Sequence, residues 1–298
     1  MTAASVNGIT IEYDVHGDDR DEPLLLIMGL GGQLISWPLE FVDRLVTVGF
    51  RVVRFDNRDI GLSTKIDAPP PTVRQVILGT VSKRFAASTY RIEDMADDAA
   101  GLLTHLGIEK AHIVGVSMGG MISQSLTIRH PAQVASLTSI MSNTGDRRNG
   151  RISAKVLRKG PKLLSRDPSK AFENSVNMVE LISGPHYDRQ AAEADVRLAA
   201  SRNDDAAGTG RQTMAIAASP DRTKLLGAVT APTLVIHGLV DPLVKPSGGM
   251  ATARAVPGAR LMMFPDMGHD LPKPRWDEII EAIVDNSRRA STVPTSVA

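Results

Sequence analysis

The ten residues from Ala111 to Gly120, AHIVGVSMGG, constrain this chain more than any other stretch. An apolar run containing Ile113, Val114 and Val116 leads into Gly115-x-Ser117-x-Gly119. A helical stretch from Met118 to His130 follows at once and stops at Pro131. A buried strand that passes into a helix through one residue forces that residue into a strained backbone. Its flanking positions must be small, hence glycine at 115 and 119. Such a turn lifts the Ser117 hydroxyl above the sheet at a helix N-terminus, where negative charge is favoured. Ser117 is therefore a candidate nucleophile. The plainer alternative is a glycine-rich helix start capped by a serine.

The same strand–helix rhythm recurs along the chain. Short apolar runs at Leu24 to Met28, Arg51 to Phe55, Leu137 to Met141, Pro232 to His237 and Ala259 to Phe264 are bounded by Gly, Pro, Asp or Asn. Continuous apolar runs of this length read as strands buried on both faces. Helical stretches separate them, such as Trp37 to Val48 and Ile92 to Leu106; the second carries Met95, Ala99, Leu102, Leu103 and Leu106 on one face. The expected class is α/β, with a mostly parallel central sheet and helices on both faces. Ala4 to Ile9 and Ile11 to His16, around Gly8, read as an antiparallel hairpin at one edge. Residues 143–226 read as helical throughout and fall between two expected strands, so they read as an inserted cap. The expected organisation is a first core part at 1–142, the cap at 143–226, a second core part at 227–290 and a disordered tail at 291–298.

Composition narrows the function. Aromatic residues make up only 4% of 298 residues, which argues against a surface that stacks sugars or single-stranded nucleic acid. A net charge of +1 gives no overall basic excess for a phosphate backbone, so no nucleic-acid partner is expected. With no cysteine, disulfides, thiolate metal sites and a cysteine nucleophile are excluded. No secretory signal is expected from Met1 to Tyr13, and no apolar run reaches the length of a membrane span. The expected location is the cytoplasm or a membrane periphery.

A serine alcohol needs a base, and the base needs an orienting acid. In a strand–serine–helix site the chain order is serine, acid, histidine. Of seven histidines, His16, His105 and His112 precede Ser117. His130 lies at the far end of its helix, and His186 lies in the insertion. His237 reads as a strand-end residue near the site. That leaves His269, in the loop Pro265-Asp-Met-Gly-His269, as the base. Asp241, in the loop after Thr233 to His237, is the candidate acid, because carboxyl ends of parallel strands converge on one crevice. Asp266 and Asp270 compete with it and read better as exposed loop acids. Two backbone N–H groups are expected to form an oxyanion hole: that of Met118, and that of Leu30 in the glycine-rich loop Met28-Gly-Leu-Gly-Gly32.

With these residues in hand, nearly the whole chain resembles the α/β-hydrolase fold superfamily. Phe55-Asp-Asn-Arg-Asp-Ile-Gly-Leu-Ser63 is similar to the family's D-x-R-x-x-G-x-S loop, and Tyr90 to Asp98 precedes the nucleophile strand as in relatives. The branch it is most similar to is that of aclacinomycin methylesterase-like and lipase/esterase-like hydrolases of actinobacteria. Many relatives carry His-Gly where this chain has Met28-Gly29; the donor is a backbone N–H, so the hole is expected to survive. Asp56, Arg58 and Asp94 are expected to hold loops beneath the site.

The resemblance implies acyl transfer on a small-molecule or lipid ester or thioester, with no metal or organic cofactor. A cofactor-free perhydrolase or haloperoxidase uses the same triad, and a hydrolase-like binding protein would keep the fold without the reactivity. Epoxide hydrolases and dehalogenases use an aspartate where this chain has Ser117. Charge in the cap is lopsided: nine basic residues against two acids from Asp146 to Lys170, then seven acids against three basic residues from Ala171 to Gly208. The basic half is expected either to attract anionic lipid, acyl-CoA or a membrane surface, or to pair with the acidic half. Met178 and Met214 read as packing residues before acyl-pocket residues.

Overall fold

The structure is a computed structural model that describes residues 2–81, 85–163, 167–203 and 206–291. Leu24, Leu25, Leu26 and Ile27 are all fully buried, which a strand requires only when both of its faces are covered. They belong to an eight-stranded sheet: β1 (Thr2–Val6), β2 (Ile9–His16), β3 (Glu22–Ile27), β4 (Phe50–Phe55), β5 (Ala111–Val116), β6 (Val134–Ile140), β7 (Thr233–Gly238) and β8 (Arg260–Phe264). The spatial order is β1-β2-β4-β3-β5-β6-β7-β8. β1–β2 and β2–β4 pair antiparallel, and every other pair is parallel.

The helices are α1 (Leu39–Thr47), α2 (Val73–Val81), α3 (Ile92–His105), α4 (Met118–Arg129), α5 (Ala154–Leu163), α6 (Ala171–Ile182), α7 (Arg189–Arg202), α8 (Ala206–Ala218), α9 (Thr223–Leu226), α10 (Ser247–Ala255) and α11 (Trp276–Ser291). They cover both faces. Leu25, Ile27 and Ile113 pack with Met95, Leu102 and Ile122 of α3 and α4. Leu24, Leu26 and Val114 point the other way, onto Phe41 of α1 and Ile279 and Ile283 of α11. This is the three-layer α/β arrangement expected from the sequence.

Some boundaries differ from expectation for identifiable reasons. Asn7 (φ 48°) and Gly8 (φ 76°) are both left-handed and make a two-residue hairpin turn, so Ile9 opens the second strand instead of closing the first. The helix expected from Trp37 begins at Leu39, because Pro38 caps it in an extended conformation. α11 runs through Ser291, so the expected tail loses its first residue to the helix; 292–298 lie outside the described residues. Between β6 and β7 the described residues hold α5 to α9 and no strand. Arg166, Asp204 and Asp205, counted in the charge pattern, lie outside the described residues.

Candidate active site

β5 lies between β3 and β6, and the loops that leave the carboxyl ends of β3, β5, β7 and β8 meet above it. Ser117 joins β5 to α4 with φ 55° and ψ −118°, a conformation L-residues avoid. It is held there by its own N–H, which donates to Ile140 O at 2.9 Å, and by its carbonyl, which accepts Met121 N–H at 3.2 Å. A methyl at Gly119 would overlap Ile27 O, and one at Gly115 would overlap Ser123 Oγ and Gly119 O. The spacing of the two glycines is thus imposed by close contact between α4, β3 and β5.

The structure brings the three expected side chains together. Ser117 Oγ lies 2.9 Å from His269 Nε2, and His269 Nδ1 lies 2.7 Å from Asp241 Oδ2. The other carboxylate oxygen of Asp241 accepts Leu243 N–H at 2.8 Å and Val244 N–H at 2.9 Å. Burial alone would raise the Asp241 carboxyl. The contacts of His237 and His269, the charge of His269 and the Val244 N–H outweigh it and bring it down to about 2. Asp241 is therefore an anion at any pH near neutrality.

His237 is more than a strand-end neighbour. Its ring is fully buried; Nε2–H donates to Val244 O at 2.8 Å and lies 3.5 Å from Asp241 Oδ2. The spacing of four between His237 and Asp241 was the available signal. Asp266 and Asp270, expected from the sequence to be exposed loop acids, are not. Both are half-buried: Asp266 binds His186 and Arg275, and Asp270 accepts Gly184 and Gly268 N–H groups. Neither binds the His269 ring. His130 pairs with Asp97 at 2.8 Å, away from the site.

On the opposite side of Ser117, Gly29 packs so closely that a methyl there would sit 3.1 Å from Ser117 Cβ. Leu30 follows, 40% exposed, and its N–H has no acceptor among the described residues. Met118 N–H opens α4, where a helix leaves its first donors unpaired. Met28, in place of the family's histidine, is buried; its side chain packs under Gly32, and its carbonyl accepts Asn57 Nδ2–H at 3.0 Å. Asp56 accepts Leu34 and Leu62 N–H groups, Arg58 pairs with Asp98, and Asp94 accepts Arg91 N–H. Asp56 and Arg58 brace loops, as expected; Asp94 instead closes the N-terminus of its own helix, α3.

Sequence reasoning missed how α6, α7 and α8 grip these loops. His269 N–H donates to Ile182 O at 2.8 Å. Gly184 and Gly268 touch so closely that a methyl on either would overlap the other's backbone. Arg202 pairs with buried Asp56 at 3.0 Å, and Arg211 with buried Asp59 at 2.7 Å. No local pattern links positions so far apart. Met214 is buried against Gly79 and Met178 lies beside Gly160, which is packing in both cases. Among the described residues, no group of three or more His, Asp or Glu side chains is arranged to hold a metal ion.

The fold and this arrangement define a hydrolase of the α/β type, and the sequence profile of the alpha/beta hydrolase fold family matches residues 22–273. The chain belongs to that family. It is 29% identical over 308 aligned positions to the rhodomycin D methylesterase DnrP of Streptomyces peucetius, covering 95% of this chain and 96% of that one. It is 25% identical to a putative non-heme bromoperoxidase, BpoC, of Mycobacterium tuberculosis, over 88% of this chain and 91% of the relative. Among solved structures, the enol-lactonase of Burkholderia xenovorans superposes with a TM-score of 0.73 at 24% identity, covering 96% of this chain and 99% of the other. Among the described residues, no helix is long and apolar enough to cross a membrane.

Proposed function

We propose that the protein is a serine hydrolase that cleaves carboxylic esters through an acyl-enzyme. The observation that carries this reading is the unbroken relay from Ser117 Oγ through both nitrogens of His269 to Asp241, at 2.9 and 2.7 Å. His269 Nε2 takes the Ser117 proton as Oγ attacks the ester carbonyl. Leu30 and Met118 N–H groups hold the oxyanion. The proton passes to the leaving alcohol as the carbon–oxygen bond breaks, and water activated by His269 releases the acid. Asp241 stays ionised and steadies the imidazolium. The methylesterase relatives make small carboxylic esters the first substrates to examine. The bromoperoxidase relative supports perhydrolysis as a second reading, with hydrogen peroxide in place of water.

A fluorophosphonate probe should label wild-type protein at Ser117 and leave Ser117→Ala unlabelled. p-Nitrophenyl esters of graded chain length should be turned over, with about a 10⁶-fold lower kcat in Ser117→Ala. A folded wild-type protein that neither labels nor turns over any ester overturns the reading.

We assign substrate choice to a cap, residues 143–226. Lys155, Arg158, Lys159 and Lys162 fall on one exposed face of α5, and none has a carboxylate partner among the described residues. Among the acids of the next helices, Glu173, Glu180 and Glu193 pair with Arg189, and Glu193 also with Arg197. Such a stripe fits an anionic lipid surface, each cation contributing about 1 kcal/mol there. Reversing the charge of Lys155, Arg158 and Lys162 should abolish binding to phosphatidylglycerol vesicles; unchanged binding removes the membrane from the picture.

A further inference from the structure

We infer that Gln212 is a positioning residue for the oxyanion hole, through which α8 sets the geometry of the loop that carries Leu30. The inference rests on the proposed esterase reading. Gln212 is fully buried, a position a primary amide occupies only when its donors and acceptor are matched. Its Oε1 accepts Gly31 N–H at 3.0 Å, and its Nε2–H donates to Arg58 O at 3.0 Å. One helical turn earlier, Thr209 fills the space a side chain at Gly31 would take, with Oγ1 3.0 Å from that point. Gly31 itself is left-handed, at φ 72°.

The loop these contacts hold is a four-residue turn. Gly32 N–H donates to Gly29 O at 3.2 Å, which closes the turn around Leu30 and Gly31. A left-handed third residue marks one of two turn forms that differ by a flip of the central peptide. That peptide carries the N–H that Gln212 accepts. Gln212 therefore selects between the two forms. Leu30 is fixed on one side by Gly29 against Ser117 and on the other by Gly31 against Gln212. Its own N–H is left unpaired, aimed by neighbours that are both anchored. The next loop residues are held from α7: Gln33 donates to Ala199 O and Asn203 O at 2.8 and 3.0 Å. Among the described residues, no other side chain accepts the Gly31 N–H.

The test compares wild type with Gln212→Met and Gln212→Glu on p-nitrophenyl acetate and butyrate. Methionine keeps the volume and helix preference and removes both hydrogen bonds. It should lower kcat about 10- to 100-fold, leave KM within about twofold, and weaken a trifluoromethyl ketone inhibitor by the same factor as kcat. That inhibitor binds as an oxyanion, so packing damage alone would not track it. The carboxyl introduced by Gln212→Glu still accepts Gly31 N–H, and when protonated it also donates to Arg58 O. This variant should regain activity on the acidic side and lose it through a new ionisation as pH rises. Gln212→Met with wild-type kcat and inhibitor affinity, or Gln212→Glu with the wild-type pH profile, overturns the proposal. If wild type labels with fluorophosphonate and turns over ester, such a result strikes Gln212 alone. If wild type is inert, the esterase reading and this proposal fall together.

Discussion

Ser117 illustrates how a single residue carries both cost and purpose. Its backbone sits where a side chain is strained by about 1–3 kcal/mol, and two hydrogen bonds and two glycine contacts keep it there. Ser117→Gly should therefore abolish turnover and raise the free energy of unfolding by about 1 kcal/mol, read from urea denaturation. Asp241→Asn should keep the fold and lower kcat about 10⁴-fold, because the amide leaves His269 in the wrong tautomer. The pH dependence follows from the same carboxylate. Its pKa is lower in the folded chain, about 2 against 3.8, so the unfolded state binds more protons between those values. Its contribution is complete above pH 3.8 and is lost as the pH falls through about 2. Denaturation midpoints measured from pH 5 to pH 2 should fall less steeply for Asp241→Ala than for wild type. Ser117, Asp241 and His269 were legible in sequence because each stands at a strand end marked by glycine or proline. The contact of His237 with Asp241 was not, because it depends on how the loop after β7 folds back.

Among the elements, the strands were read with the most success. Buried parallel strands are largely apolar, and the run containing Ile113, Val114 and Val116 lies in β5. Boundaries slipped where one residue decides them: Asn7 and Gly8 in the hairpin, Pro38 before α1. Contacts between elements were opaque. The pairing of Arg202 on α7 with Asp56 after β4 spans 146 positions, and nothing local announces it. The pair is almost wholly buried, with side chains 10% and 0% exposed. Arg202→Met strands the Asp56 charge and should cost about 3–5 kcal/mol of stability; adding Asp56→Asn should recover part of it. Thermal melts of the two single variants and the double variant give the coupling directly.

Across the whole molecule, the segment between β6 and β7 is tied to three loops of the candidate site, those after β3, β7 and β8. Its α6–α7 corner holds the His269 loop, α8 and α7 hold the loop after β3 at Gly31 and Gln33, and Ser153 N–H donates to Pro242 O beside Asp241. A segment fastened at three points transmits its own shape to the chemistry beneath it. This bears on inheritance. Exchanging this segment for a relative's is an obvious way to seek new substrates, and most such recombinants should be inactive even when they fold. The carbonyl of Ile182 and the bare backbone at Gly184 belong, in effect, to the His269 loop they brace. Grafts that retain residues 182–184 from this chain should recover turnover; grafts that bring a bulkier residue opposite Gly268 should push His269 off its serine.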